Sequence, residues 1–173
     1  KKVVLLLNVG NIIDMTDINR IAPDAVLYVW QGGMTGGKGT ADVLTGKVSP
    51  SGKLPDTIAY KASDYPSDAN FGREGNRDIY AEDIYVGYRY FETFAKEKVL
   101  YPFGFGLSYT AFEIKTEKAE ITEGAVKLSV SVKNIGSYKG EEVIEVYCEA
   151  PQGRLGKAAR VLCGFEKTRE LVP

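Results

Sequence analysis

The stretch from Val26 to Thr57 constrains the fold of this chain more than any other. It reads VLYVWQGGMTGGKGTADVLTGKVSPSGKLPDT. An apolar run from Ala25 to Trp30 predicts a buried strand, a glycine-dense turn follows it, and Thr40 to Leu44 predicts a short helix. A segment bounded by proline and glycine, Ser49 to Gly52, then leads out of the helix. The order strand, turn, helix, strand is typical of an α/β unit.

The chain divides into two parts with different hydrophobic periodicity. In the first part, apolar runs such as Val3 to Leu7 alternate with helix and loop signals, which is typical of a parallel sheet buried on both faces. From about residue 110, strands become half-buried and antiparallel. Ala125 to Lys133, AVKLSVSVK, alternates apolar with polar side chains, and two more strands follow in GEEVIEVYCEAP and AARVLCGFEK. The sequence therefore predicts an α/β part, residues 1–109, followed by an antiparallel β-sandwich, residues 110–173.

Both parts are predicted to be incomplete. Short strands at regular spacing are typical of an immunoglobulin or fibronectin type III sandwich, which has about seven strands, whereas three or four are visible here. Two or three strands with one crossover helix do not cover both faces of a parallel sheet. We therefore expect both parts to continue in a longer polypeptide.

The composition excludes several classes of partner. A hydrophobic content of 44% and a net charge of −1 are typical of a soluble globular protein. The 22 lysines and arginines are balanced by 23 acidic residues and are spread along the chain, so no basic patch for nucleic acid is visible. The apolar run Val3 to Leu7 is much shorter than the roughly 20 residues that a membrane span needs. Neither nucleic acid nor a membrane is an expected partner.

The sequence contains no histidine, which removes a Ser-His-Asp triad, a Cys-His pair and any His-containing zinc site within the chain. Cys148 and Cys163 are too few for a disulfide framework and are expected as free thiols. Cys148 shares the apolar face of its strand with Ile144 and Val146, which predicts a small buried hydrophobe. No metal or organic cofactor is predicted, and any hydrolysis would have to use carboxylates.

The glycine turn has the spacing of a phosphate-binding loop. Gly32, Gly37 and Lys38 match that motif between a strand and a helix, but Gly39 stands where a hydroxyl should hold magnesium, and Thr40 is one residue too late. We therefore interpret the segment as a tight turn that lets the helix pack on the sheet. A nucleotide-binding α/β domain is the less favoured hypothesis.

Several carboxylates and one tryptophan are the remaining candidates for chemistry. The carboxylates lie in or near the long loop between the two parts: Glu74, Asp78, Glu82, Asp83 and Glu92. A pair about 5 to 10 Å apart would suffice for glycoside hydrolysis, but charged loop residues are usually solvated or form local caps, and we adopt that interpretation. Trp30 stands at a strand end where it could stack on a sugar, although packing in the core or at an interface is favoured.

A long aromatic segment, Tyr60 to Tyr109, joins the two parts. Residues 65–80 have little periodicity and many turn formers, which predicts an ordered surface loop. Its polar side chains could bind a sugar, but we expect them to fasten the two parts together. The runs IYVGYRYF and YPFGFGLSY are dense in aromatic rings, which predicts packing at a domain interface. Gly104 and Gly106 are expected to admit backbone where a side chain would clash.

These motifs closely resemble glycoside hydrolase family 3, the β-glucosidases and β-xylosidases. The resemblance covers nearly the whole chain and is carried by GKVSPSGKLP at 46–55, EDIYVGYRYF at 82–91 and PFGFGLSYT at 102–110. It implies the end of the family's α/β sandwich domain, followed by the start of a fibronectin III-like domain. The resemblance implies three structural elements for this chain: the glycine turn, an aromatic anchor strand and the sandwich. Thr35 stands where the family commonly has a glutamate, which argues against a polar role for the turn.

The resemblance also implies an activity for the parent protein. That activity is the retaining hydrolysis of a β-glucoside or oligosaccharide by two carboxyl groups, with no cofactor. The nucleophile belongs to a barrel domain, and the general-acid glutamate usually precedes the strand that begins here at Val3. The resemblance therefore assigns no catalytic, substrate-binding or metal-binding role to any residue of this chain. The remaining catalytic domains of the same protein are its expected partners.

The alternative is a non-catalytic carbohydrate-binding or adhesion module built on the β-sandwich. Such a module would need exposed aromatic side chains in a row on one sheet face. Tyr138 and Tyr147 are the only aromatic residues in the best-defined strand pair. The sequence therefore favours a supporting role in a glycosidase.

Overall fold

The computed structural model describes residues 1–72 and 75–173. Within them the strands and helices are, in order, β1 Val4–Leu7, α1 Thr16–Ile21, β2 Ala25–Tyr28, α2 Gly36–Leu44, β3 Ile58–Ala59, α3 Tyr88–Phe94, β4 Val99–Tyr101, β5 Phe112–Thr122, β6 Ala125–Asn134, β7 Val143–Cys148 and β8 Val161–Lys167. Short 3-10 turns occupy Gly33–Thr35, Ala62–Asp64, Pro66–Ala69 and Lys96–Lys98. In this described part of the chain, no helix has the length and apolar character needed to cross a membrane.

The first part opens with the predicted parallel strands. β1 and β2 pair in parallel, with α1 as the crossover between them, so that Val4 lies opposite Ala25 and Leu7 opposite Tyr28. β2 ends before Trp30 because that residue has a left-handed φ of 52°, which does not belong to a strand. The prediction of a buried strand is wrong here, since the residues of β2 are half-buried or exposed.

Two helices differ from the predicted elements. α2 begins at Gly36 rather than Thr40, because Gly36 already has helical φ and ψ of −58° and −40°. The aromatic segment that was expected as an anchor strand contains α3. Gly87 turns the chain with a φ of 60°, after which Phe91 and Ala95 lie one helical turn apart and are both buried.

The core of the first part consists of two small clusters joined by β3. The first cluster contains buried Leu7, Met15 and Ile58. The second contains buried Ala59, Phe91 and Ala95. β3 pairs with β4 in antiparallel fashion. Because Ile58 and Ala59 are neighbours on β3 and each belongs to a different cluster, this short strand holds α3 next to the parallel strand pair.

The second part contains two antiparallel hairpins. The three strands that the periodicity predicts are observed as β6, β7 and β8, whereas β5 is a strand that the sequence pattern does not predict. β5 pairs with β6 from Phe112 opposite Asn134 to Thr122 opposite Ala125, and β7 pairs with β8. The half-buried face predicted for β6 is not found near the hairpin turn, where Val126 and Leu128 are exposed. Among the described residues β5 and β6 pair only with each other.

Cys148 is exposed, so the prediction of a buried hydrophobe is wrong. The preceding residue, Tyr147, has its ring 6.0 Å from that of Tyr88 in α3 and therefore faces the helix. Strand alternation turns Cys148 to the opposite side, where it meets solvent. Cys148 and Cys163 are both free thiols, as predicted.

Candidate functional site

The glycine turn forms one wall of a pocket at the carboxyl ends of β1 and β2. The pocket has a volume of about 540 Å³. Leu6 and Leu44 supply apolar surface, whereas Asn8, Gln31 and Thr40 supply polar atoms. Among the described residues, none that lines the pocket is charged. Within the described part of the chain, the pocket therefore offers room for a neutral group and no acid, base or phosphate-binding cation.

Lys38, the cation of the phosphate-loop hypothesis, is bound within its own helix. Its Nζ donates to the carboxylate of Asp42, one turn later in α2, and this hydrogen bond is the main reason that the pKa of Asp42 lies below its ordinary value. Lys38 does not line the pocket. At Gly32 an added β-carbon would lie 2.6 Å from the Cα of Gly36. These contacts support the interpretation of a tight structural turn.

Trp30 lies on the wall of this pocket and also packs on a neighbouring ring. Its ring centroid is 4.4 Å from that of Tyr28, whose hydroxyl donates to the Asn11 carbonyl at 2.9 Å. Burial raises the pKa of Tyr28. Trp30 itself is half-buried. Trp30 therefore packs on Tyr28 outside the two core clusters, and both its packing at an interface and a role in sugar stacking stay predictions.

Of the candidate carboxylates, the four within the described residues do not line the pocket. Glu74 lies outside the described residues. Asp78 and Asp83 are exposed and Glu82 is half-buried, all three in the irregular segment before α3. Glu92, within α3, forms an ion pair with Arg160 and lies 3.6 Å from the Nζ of Lys96.

Glu92 belongs to a contact region between α3 and the β7–β8 hairpin, which we call the α3 junction. The junction consists of α3, Tyr147 and residues 158–162. The Tyr88 hydroxyl accepts a hydrogen bond from the Leu162 amide at 2.8 Å, and the Thr93 hydroxyl accepts one from the Ala159 amide at 3.0 Å. Since both amides belong to the second part of the chain and both acceptors to α3, the junction joins the two parts.

Aromatic rings and the Arg160 guanidinium pack against one another in the α3 junction. The Tyr88 ring centroid is 4.8 Å from that of Phe103, and the Arg160 guanidinium lies 5.2 Å from the Tyr147 centroid. The hydrogen bond to Glu92 raises the pKa of Arg160 above its ordinary value. The pKa of Tyr147 is raised as well, chiefly by burial. The aromatic packing predicted between the two parts of the chain is found here.

Arg160 was missed by the sequence analysis. It is a single arginine in AARVLCGFEK, and neither spacing nor composition distinguishes it from the other arginines. Its partner Glu92 is 68 residues away in sequence. Only the folded chain brings the two together.

A second groove, of about 420 Å³, lies between residues 53–55, Phe103 and the β7–β8 hairpin. Two lysines that line this groove form ion pairs. Lys53 Nζ lies 2.7 Å from Glu142, and Lys167 Nζ lies 2.6 Å from Glu141. The bond to Lys167 is the main cause that lowers the pKa of Glu141. Glu141 and Glu142 are thus partnered by lysines of the chain itself, whereas Glu145, which lines the groove, accepts a hydrogen bond from the Tyr147 hydroxyl at 2.6 Å.

The sequence was also compared with known families. The profile of the glycosyl hydrolase family 3 C-terminal domain matches residues 1–109. This chain belongs to that family. The resemblance inferred from the motifs is therefore confirmed.

Relatives of this family 3 chain are β-glucosidases. A β-glucosidase of Ruminococcus albus is 66% identical over 172 residues, which are 99% of this chain and 18% of the relative. β-Glucosidase A of Butyrivibrio fibrisolvens is 48% identical over 189 residues, which are 99% of this chain and 23% of the relative. The chain thus spans less than a quarter of the length of each of these two relatives.

Solved structures of family 3 enzymes match the fold closely. A β-glucosidase from Paenibacillus barengoltzii has a TM-score of 0.92 and 55% identity, covering 99% of this chain and 19% of that one. β-Glucosidase 3B from Thermotoga neapolitana, in complex with glucose, has a TM-score of 0.91 and 41% identity, covering 100% of this chain and 24% of that one.

Proposed function

We propose that this chain is the C-terminal support of a β-glucosidase whose reacting carboxyl groups lie elsewhere on the same polypeptide. The whole protein would hydrolyse terminal β-linked sugars with retention of configuration. The proposal is supported by the β-glucosidase relatives and by the relative that was crystallised with glucose. The proposed substrate is therefore a β-glucoside or an oligosaccharide.

The observation that carries the supporting role is the engagement of Glu92 in the α3 junction. Its Oε1 binds Arg160 and its Oε2 faces Lys96, and its side chain is only 16% exposed. A general acid or nucleophile must present a free carboxyl oxygen to the substrate. Glu92 instead joins the two parts of the chain.

The proposed domain division places residues 1–109 in the end of an α/β sandwich domain and residues 110–173 in the start of a fibronectin III-like domain. The parallel β1–β2 pair with its crossover helix supports the first assignment. The two antiparallel hairpins support the second. The family profile also ends at residue 109, where the pattern of the sequence changes.

In a retaining glycosidase one carboxylate attacks the anomeric carbon, while a second carboxyl group protonates the leaving oxygen and later activates water. The two groups lie about 5 to 5.5 Å apart, so their positions must be held accurately. Loops are positioned accurately when rigid elements hold them. This chain contributes such a rigid element, because α3 is packed both on β3 and on the β7–β8 hairpin.

The proposal is tested with the full-length protein and an aryl β-glucoside. Asp78→Asn and Asp83→Asn are expected to keep the wild-type kcat, whereas loss of a group that acts as general acid or base costs about 100- to 10,000-fold. The isolated chain is expected to show no turnover. A loss of that size in either variant would place a reacting group in this chain and contradict the proposal.

A binding measurement separates the proposal from a sugar-binding module. The chain is titrated with cello-oligosaccharides while the fluorescence of Trp30, its only tryptophan, is followed. No saturable change is expected at millimolar sugar. Tight saturable binding would favour the module.

A further inference from the structure

We propose that residues 149–160, the connection between β7 and β8, form a clasp on α3 that makes the two parts of the chain unfold as one cooperative unit. The connection leaves the sheet at Cys148 and returns to it at Val161. On its way it contacts Tyr85 and two residues of α3. The proposal does not depend on glycosidase activity.

The clasp is shaped by its own hydrogen bonds. The Gln152 side-chain amide donates to the Lys157 carbonyl at 3.2 Å, and the Lys157 amide donates back to Gln152 Oε1 at 3.2 Å. Lys157 Nζ also donates to the Pro151 carbonyl at 3.2 Å. Because these bonds close the loop on itself, less conformational entropy is lost when it docks on α3.

The end of the clasp is attached to α3 by consecutive residues. Ala158 is buried, the Ala159 amide donates to the Thr93 hydroxyl, and the Arg160 guanidinium pairs with Glu92. The Arg160 side chain is 37% exposed and that of Glu92 is 16% exposed. The pair is therefore partly shielded from solvent, where ion pairs are stronger than at an open surface.

A close approach at Gly156 makes the fit of the clasp sensitive to a single methyl group. A β-carbon added at Gly156 would lie 2.7 Å from the Tyr85 hydroxyl. The Tyr85 ring packs edge-on to Phe94, with centroids 4.8 Å apart, so a shift of the Tyr85 hydroxyl would disturb this contact. A β-carbon added at Gly153, in the same loop, would meet nothing within 4 Å. Neither glycine has a positive φ, so alanine fits the backbone at both positions.

The helix α3 also connects the clasp to the core of the first part. Phe91 is buried in one cluster with Ala59 of β3, and the adjacent Ile58 is buried in the cluster that includes the end of β1. Release of the clasp therefore exposes part of the same helix that packs on β3. Physical continuity of this kind permits coupling between the two parts, and the coupling itself is what an experiment must measure.

The experiment follows backbone amide exchange of the full chain by mass spectrometry in increasing, sub-denaturing urea. In the wild type, amides of the β7–β8 hairpin and of β3 and β4 are expected to become exposed in the same transition. In Gly156→Ala the hairpin amides, including that of Leu162, are expected to exchange about tenfold faster, which corresponds to one net hydrogen bond. They should then open at lower urea than those of β3 and β4.

Two controls isolate the contact. Gly153→Ala is expected to behave like the wild type, and Tyr85→Phe combined with Gly156→Ala is expected to restore the common transition, since it removes the clashing hydroxyl. If the two glycine variants behave alike, or if the hairpin already opens separately in the wild type, the clasp is not the coupling element.

A second variant tests the ionic contact and serves if Gly156→Ala does not fold. Arg160→Met keeps an unbranched stem over Tyr147 but removes the charge that binds Glu92. It is expected to separate the two transitions, whereas Arg160→Lys retains the charge and should separate them less. Coincident transitions in Arg160→Met would overturn the proposal.

Discussion

A β-carbon placed on Gly106 would overlap the carbonyl oxygen of Gly52. The two segments that contain these glycines are joined by backbone hydrogen bonds. The Leu54 amide donates to the Phe105 carbonyl at 2.8 Å, and the Gly104 amide donates to the Leu54 carbonyl at 2.8 Å. These bonds restrict movement of the Gly52 carbonyl, and the sequence-based prediction that backbone passes close to Gly106 is confirmed. At Gly104 the same prediction is wrong, because the group that approaches it is the Glu145 side chain.

Gly106→Ala is accordingly expected to destabilise the chain by about 1 to 3 kcal/mol, the usual cost of overpacking a site that does not relax. Urea unfolding followed by circular dichroism measures the change. Gly153→Ala, where nothing lies within 4 Å, is the matched control and should leave the midpoint in place. Equal urea midpoints for the two variants would show that the Gly52 segment moves to make room for the added methyl group.

Local signals explain what the sequence predicts correctly. The apolar runs of β1 and β2, separated by one short helix, indicate a parallel pair because a parallel connection requires a crossover. Apolar and polar side chains alternate in Ala125–Asn134, which indicates an antiparallel strand, because successive side chains of a strand point to opposite faces of the sheet. Glycines at Gly32 and Gly106 mark close backbone approaches that no other residue allows.

Contacts between distant residues explain what the sequence does not predict. In IYVGYRYF, aromatic residues are favoured in strands, yet the burial of Phe91 and Ala95 against Ala59 selects a helix. The exposed position of Cys148 follows from Tyr147 facing α3, which no local pattern encodes. Likewise, the role of Arg160 depends on Glu92, far away in sequence.

Gly39→Ala is expected to stabilise α2. Gly39 lies inside that helix, is exposed, and a β-carbon there would meet nothing within 4 Å. Glycine in a helix interior is less stable than alanine by roughly 0.5 to 1 kcal/mol, so a gain of about that size is expected. Thermal unfolding of the two proteins measures it. Gly32→Ala should instead be destabilising, because its β-carbon would lie 2.6 Å from the Gly36 Cα.

Tyr65→Phe is expected to destabilise β3 without changing the shape of the side chain. The Tyr65 hydroxyl accepts from the Ala59 amide at 2.9 Å and donates to the Thr57 carbonyl at 3.0 Å. Ala59 and Thr57 are only 2% and 3% exposed, so water does not readily replace the hydroxyl. Leaving buried polar groups unpaired costs about 1 to 3 kcal/mol.

The Tyr65→Phe change is measured by urea unfolding together with exchange of the Ala59 amide, which should become faster. Tyr80→Phe is the control, since Tyr80 is 86% exposed and its hydroxyl is open to water. If both variants unfold at the same urea concentration as the wild type, the Tyr65 hydroxyl is not part of the stabilising core.

Asp14→Ala is expected to reduce stability in a manner that depends on pH. The Asp14 carboxylate accepts from the Thr16 amide at 2.8 Å and from the Ala62 amide at 2.7 Å. Hydrogen bonds from the Thr16 side chain and from the Ala62 and Thr16 amides, in that order, hold the pKa of Asp14 below its ordinary value of 3.8. Because the pKa is lower in the folded chain, the contribution of Asp14 is fully present above the ordinary value and is lost as pH falls through the folded-state value.

Urea midpoints of the wild type and Asp14→Ala are therefore expected to differ at pH 7 and to converge as the pH is lowered below about 4. Asp17→Ala is the control. Asp17 pairs with Arg20 at 2.9 Å on an open surface, where such pairs contribute little, so its midpoint should match that of the wild type at neutral pH. A difference between the wild type and Asp14→Ala that grows on acidification would have the wrong sign, and it would mean that the unfolded chain, not the folded one, favours the ionised carboxylate.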